Sequence, residues 1–137
     1  MGKIYKNLDV WQKSIELTDS VYFATKDFPK SEIYGLASQM RRCAVSVASN
    51  IAEGHERNTT KEFIQFLGVA RGSLAELETQ TIIASRQEYI NKKELEQIDS
   101  LCTSINKMLR KLMASLNEKI NNESRISNLH SLKQEAK

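Results

Sequence analysis

This chain of 137 residues is poor in the residues that interrupt helices, bind metals or staple small folds. It has one proline, Pro29, five glycines, two cysteines and two histidines. So few breakers leave long stretches free to be helical. Two cysteines cannot build a disulfide framework. Cys43 and Cys102 both fall on apolar helix faces, which reads as reduced core thiols in a cytoplasmic protein. His55 stands beside Glu53 and Glu56, and His130 is far along the chain. One histidine with two carboxylates and no second His or Cys at ligand spacing is a weak metal signal, so no cofactor is expected. Apolar runs fall well short of the about 18 residues that a membrane-spanning helix needs. The first six residues hold no apolar segment of the signal-peptide kind, so none is expected. Aromatic residues are few, 7% of the chain, and most sit on core-facing positions, so base stacking is not expected. A net charge of +3 is compatible with a nucleic-acid partner without demanding one.

What the chain does have is helical periodicity. In residues 8–26, after a candidate N-cap at Asn7, Leu8, Trp11, Ile15, Thr18 and Tyr22 form one face. Val10, Leu17, Val21 and Ala24 form a second, nearly opposite. The turn at Phe28 and Pro29 ends this helix, with Phe28 closing one end of the core. A third helix opens with a capping box at Thr59 to Glu62 and runs to about Glu88. Its core stripe is Phe63, Leu67, Ala70, Leu74, Leu77, Thr81 and Ala84. Its reverse side carries a row of small residues, Gly68, Gly72, Ala75 and Thr79. Two mid-helix glycines there cost about 1 kcal/mol each relative to Ala, which points to close packing by a partner, against a plain solvated surface. The glycines follow no strand, so they are not a phosphate-binding loop. A fourth helix opens at Asn91 with Glu94 completing a box. It shows an unbroken stripe of Leu95, Ile98, Cys102, Ile105, Leu109, Leu112 and Leu116.

Residues 31–57 carry the most information. The expected helix, about 32–53, has Ser31 as N-cap, Gly54 as a left-handed C-cap and a core stripe of Ile33, Leu36, Met40, Cys43, Val47 and Ile51. Beside it Gln39, Ser46, Asn50 and Glu53 form a polar stripe. Glu53 is disfavoured at the negative end of the helix dipole and calls for a partner, with Arg57 in reach. The stripe reads either as a half-buried seam between helices or as a functional surface.

Four helices with short links predict an all-α fold, an antiparallel up-down four-helix bundle over residues 1–116. A polar, disordered tail is expected over 117–137. Helices one and three lie diagonally in such a bundle, and each has a second apolar or small-residue face. A head-to-tail contact follows, between Val10, Leu17 and Val21 of one subunit and Gly68, Gly72, Ala75 and Thr79 of the next. Contacts of that type close into a ring-shaped homo-oligomer.

No catalytic constellation is present: Ser46 and Ser49 lack a base, and Cys43 faces the core. A non-enzymatic protein without a small-molecule substrate is therefore expected. The candidate nucleic-acid contacts are Arg41, Arg42, Arg57, Lys61, Arg71 and Arg86, which a ring would multiply into many phosphate contacts. The alternative is a scaffold for a protein partner.

The runs Tyr5 to Gln12, Phe28-Pro29, Glu32 to Leu36, Gln39 to Arg42, Ser46 with Asn50 to Gly54, Glu62-Phe63 and Gly72 to Leu77 resemble bacterial four-helix-bundle proteins. These are often encoded by intervening sequences within 23S rRNA genes. The likeness spans about residues 4–116 and includes Gln39, Ser46, Asn50, Glu53 and Gly54. Accessory variability proteins of diversity-generating retroelements look like a branch of the same family. The resemblance implies an up-down bundle assembled as a homopentamer. For the retroelement branch it also implies binding to a reverse transcriptase and to RNA or DNA through a basic surface. For the rRNA-associated members it implies no settled biochemical role.

Overall fold

The computed structural model describes residues 4–136. Residues 1–3 and 137, the outermost positions of the expected bundle and tail, lie outside the described residues. A short 3-10 turn (Ile4–Asn7) leads into four helices: α1 (Asp9–Thr25), α2 (Leu36–His55), α3 (Thr60–Arg86) and α4 (Lys92–Glu135). No strand occurs among the described residues. Each helix packs on its chain neighbours, α1 also packs on α4, and the pairs α1/α3 and α2/α4 stand further apart, with no Cα atoms within 8 Å. One apolar core runs between them.

The expected stripes of α3 and α4 are the ones buried. Leu67, Ala70, Leu74, Leu77, Thr81 and Ala84 are buried on α3, and Ile98, Cys102, Ile105 and Leu109 on α4. Phe28 closes one end of the core, its ring 5.3 Å from that of Tyr89. Thr59 caps α3 by accepting from the Glu62 amide. Asn91 and Glu94 form the full reciprocal capping box of α4.

On α1 the two faces are the reverse of the expected assignment. Val10, Leu17 and Val21 do not form an outer interface; with Ala24 they are buried in the core of their own subunit. Ile15 and Tyr22, on the other face, are exposed. The core stripe continues through Ser14, which breaks the apolar pattern on paper. Its hydroxyl is satisfied within the helix, donating to the Val10 carbonyl at 2.7 Å, so a polar residue enters the core at little cost. The N-cap position is Leu8 rather than Asn7, with no side-chain cap bond.

Two ends of α2 also differ from expectation. Ser31 lies in a separate 3-10 turn (Lys30–Glu32), and α2 starts after Gly35. Ile33 therefore leaves the core stripe and is exposed. Gly54 is not a left-handed cap: no glycine has positive φ among the described residues, and Gly54 is buried in the last turn of the helix. Its missing Cβ lets α3 come close, since an added Cβ would stand 2.6 Å from Phe66 Cβ.

The helix α4 does not fray after Leu116. It continues to Glu135, giving 44 residues, or about 66 Å at 1.5 Å per residue. No glycine or proline follows Gly72, and extending a helix already formed carries no nucleation cost. Residues 121–136 are exposed throughout.

Candidate nucleic-acid interface

The polar stripe of α2 becomes two different things. Ser46 and Asn50 form a seam against α3: the Ser46 and Ser73 hydroxyls are 2.8 Å apart, and the Asn50 amide donates to the Ser46 carbonyl at 2.8 Å and to its hydroxyl at 2.9 Å. Gln39 and Glu53 are exposed and make no side-chain hydrogen bond among the described residues. The expected Glu53–Arg57 pair is absent. Arg57 instead meets Glu62 at 3.1 Å and lies over the Phe66 ring, because the turn after His55 carries Arg57 toward the start of α3.

Beyond the seam, α2 and α3 enclose an open slot of about 400 Å³, lined by Gln39, Arg42, Cys43, Ser73, Glu76 and Gln80. The Cys43 thiol donates to Glu76 Oε2 at 3.2 Å. Burial first, then the neighbouring Glu76 carboxylate, pushes this thiol up to about 11, so it is a neutral donor and not a nucleophile at neutral pH. The Gln80 side-chain carbonyl is buried without a partner.

The six candidate cations do not come together. Arg41 and Arg42 lie side by side near the start of α2. Arg57 lies past the other end of α2, whose last residue His55 is about 20 Å from Arg42 by helix rise. Lys61 follows it in the first turn of α3. Arg71 donates to Asn106 at 3.3 Å across α3 and α4, and Arg86 ends α3. Arg41 and Arg42 are the pair with a surface built around them. Arg41 donates to the Thr25 hydroxyl at 2.9 Å and lies over the Tyr22 ring, which holds its planar guanidinium in place. Neither has a carboxylate partner among the described residues. With Tyr22, Ile33, Tyr34 and Val45 they line an open depression of about 580 Å³.

The aromatic part of this surface runs against the sequence expectation. Tyr22 and Tyr34, which line it, are exposed, Tyr34 to 96%. A tyrosine between Pro29 and Gly35, both unfavourable inside a helix, is the sequence signal for a ring outside the core.

On α3 the small row Gly68, Gly72, Ala75 and Thr79 is exposed as expected, with Val69, Ile82 and Ile83 exposed near it. An added Cβ at Gly68 or Gly72 would meet nothing within 4 Å. No described helix is long and apolar enough to cross a membrane.

A four-helix all-α chain with this α2 seam matches one family model, described as 23S rRNA-intervening sequence protein, over residues 6–111. The chain belongs to that family. It is similar to a solved structure from Bacteroides thetaiotaomicron, described as a protein of unknown function from the S23 ribosomal protein family. The identity is 26% and the TM-score 0.71, over 77% of this chain and 95% of that one. No curated protein matches. The family match stops before the exposed end of α4.

Proposed function

We propose that this protein is a non-enzymatic, cytoplasmic, ring-forming member of its family that binds RNA or DNA. In this reading its subunits are antiparallel up-down bundles, five to a ring. The observation that carries the binding is the Arg41–Arg42 pair beside the exposed rings of Tyr22 and Tyr34. Guanidinium groups without carboxylate partners attract phosphate, and exposed rings accept bases. Short links, and close backbone approach only between chain neighbours and between α1 and α4, support the up-down order. A ring would repeat the arginine pair around its circumference and raise affinity by multivalency. Fluorescence anisotropy with a labelled structured RNA tests it. Binding at 50 mM KCl that weakens at 200 mM, and that Arg42→Glu lowers about tenfold or more, is expected. No binding at 50 mM KCl would remove the reading.

A second reading, a scaffold for a protein partner such as a reverse transcriptase, draws on the small-residue face of α3. Its exposed Val69, Ile82 and Ile83 beside Gly68 and Gly72 suit a close-packed helix. That helix belongs either to the next subunit of the ring or to a foreign protein. Gly72→Glu separates the two. Collapse of the assembly to the 15.6 kDa subunit in light scattering assigns the face to the ring, and an unchanged assembly assigns it to another protein.

A further inference from the structure

We propose that the α2–α3 face reads unpaired guanine in a single strand, with Tyr34 stacking a base, Arg42 at the strand and Glu76 accepting from the base edge. This rests on the nucleic-acid reading above and adds to it the state of the strand and the identity of the base. The depression around Tyr34 and the slot around Glu76 share Arg42 and Ser46 in their linings, so they form one continuous surface with an apolar, aromatic half and a polar half.

The one charged acceptor of the polar half is Glu76. Ser46 and Ser73 satisfy each other, with Asn50 behind them. What remains is the Glu76 carboxylate, whose partner is one thiol, the buried Gln80 carbonyl, which has none, and the exposed Gln39 amide, which offers both a donor and an acceptor. At the mouth stands Arg42, exposed and without a carboxylate partner among the described residues. A ligand that fits must bring adjacent N–H donors for the carboxylate and an acceptor or anion for the guanidinium. A cationic side chain of a protein would supply donors but would be repelled by Arg42. Guanine supplies both: N1–H and the N2 amino group lie side by side, with O6 next to them. Uracil has one such donor, and adenine and cytosine have one amino group each. In a duplex that edge is already paired, so the base must come from a single strand. The ring of Tyr34, almost fully exposed, is then available to stack the neighbouring base, an interaction indifferent to sequence.

Anisotropy at 100 mM KCl with labelled 12-mers tests this, using alternating GA, CA and UA RNA and the GA strand annealed to its complement. The GA strand is expected to bind about tenfold tighter than the CA and UA strands, the discrimination typical of a two-point base contact, and tighter than its duplex. Glu76→Gln replaces an acceptor by a donor facing the guanine donors. It should bring GA down to the UA level and leave UA unchanged, which loss of fold would not do. Tyr34→Ala should weaken all three single strands about tenfold. Equal affinity for GA, CA and UA, or a preference for duplex, overturns the guanine assignment and leaves the nucleic-acid reading standing. Tighter binding of free GMP than of the GA strand overturns the strand assignment. Failure of every oligonucleotide leaves the face to a protein partner and removes both readings.

Discussion

A Cβ on Gly54 would stand 2.6 Å from the Cβ of Phe66 and 3.0 Å from Cδ1 of Phe63. The last turn of α2 and the first turns of α3 touch there through the absence of a side chain. Gly54→Ala gains about 1 kcal/mol of helix propensity but forces two backbones apart. Net destabilisation of about 1–3 kcal/mol is expected, read as a lower midpoint in urea unfolding. Gly68→Ala is the control, since its added methyl meets nothing within 4 Å. That change should stabilise the subunit by up to about 1 kcal/mol.

Glu88 adopts φ 62° in the turn that ends α3. The Tyr89 amide donates to the Ala84 carbonyl at 2.9 Å and the Glu88 amide to that of Ser85 at 3.0 Å, the bonding of a Schellman cap with glutamate in the glycine position. Glu88→Gly relieves the left-handed strain, and a gain of about 1 kcal/mol is expected from thermal or urea unfolding. Glu88→Val should destabilise, since a β-branched residue tolerates positive φ least.

Cys43 and Cys102 are free and buried. Burial is the first cause that raises both thiols, Cys43 to about 11 and Cys102 to about 12, from an ordinary 9.0. In the unfolded chain they ionise first, so the folded state binds more protons above pH 9. The stability they contribute is intact below pH 9 and is lost as pH rises from 9 through 11 and 12. Wild type should therefore lose stability between pH 8.5 and 10.5 more steeply than the Cys43→Ala/Cys102→Ala double variant. Parallel slopes would contradict the burial argument.

Removing residues 121–137 should leave the unfolding midpoint of the bundle almost unchanged, because the side chains of 121–136 are exposed. The helical circular dichroism of the full chain should exceed that of the truncated one by the share those residues represent. No such excess would show that the extension is not helical in solution.

How much of this was legible in the sequence depended on the kind of signal. The α4 stripe is apolar at every step and the α3 stripe at every step but Thr81, and both helices announce their starts by side-chain caps at Thr59 and Asn91, so they could be read directly. The α1 faces could not be ranked. Ser14 disguised the true core stripe, and the hydrogen bond that makes it tolerable is internal to the helix and invisible to periodicity. Gly54 was legible as special but not as to why, since close approach and left-handed φ favour the same residue. The polar stripe pointed to the α2–α3 seam through Ser46 and Asn50, yet Ser46's partner across it, Ser73, lies 27 residues further on and is found only in three dimensions. The arginine pair was among the expected phosphate-binding residues. Its aromatic setting was hidden because Tyr22 shares a helical spacing with half-buried Trp11.

The most direct measurement is the salt dependence of RNA binding by wild type and by Arg41→Gln/Arg42→Gln. For wild type the logarithm of affinity should fall linearly with the logarithm of KCl concentration. The double variant should bind more weakly and with a shallower slope. The slopes should differ by about one unit for each phosphate that the two arginines neutralise per subunit engaged. Equal affinity and equal slope for the two proteins would contradict an interface centred on Arg41 and Arg42.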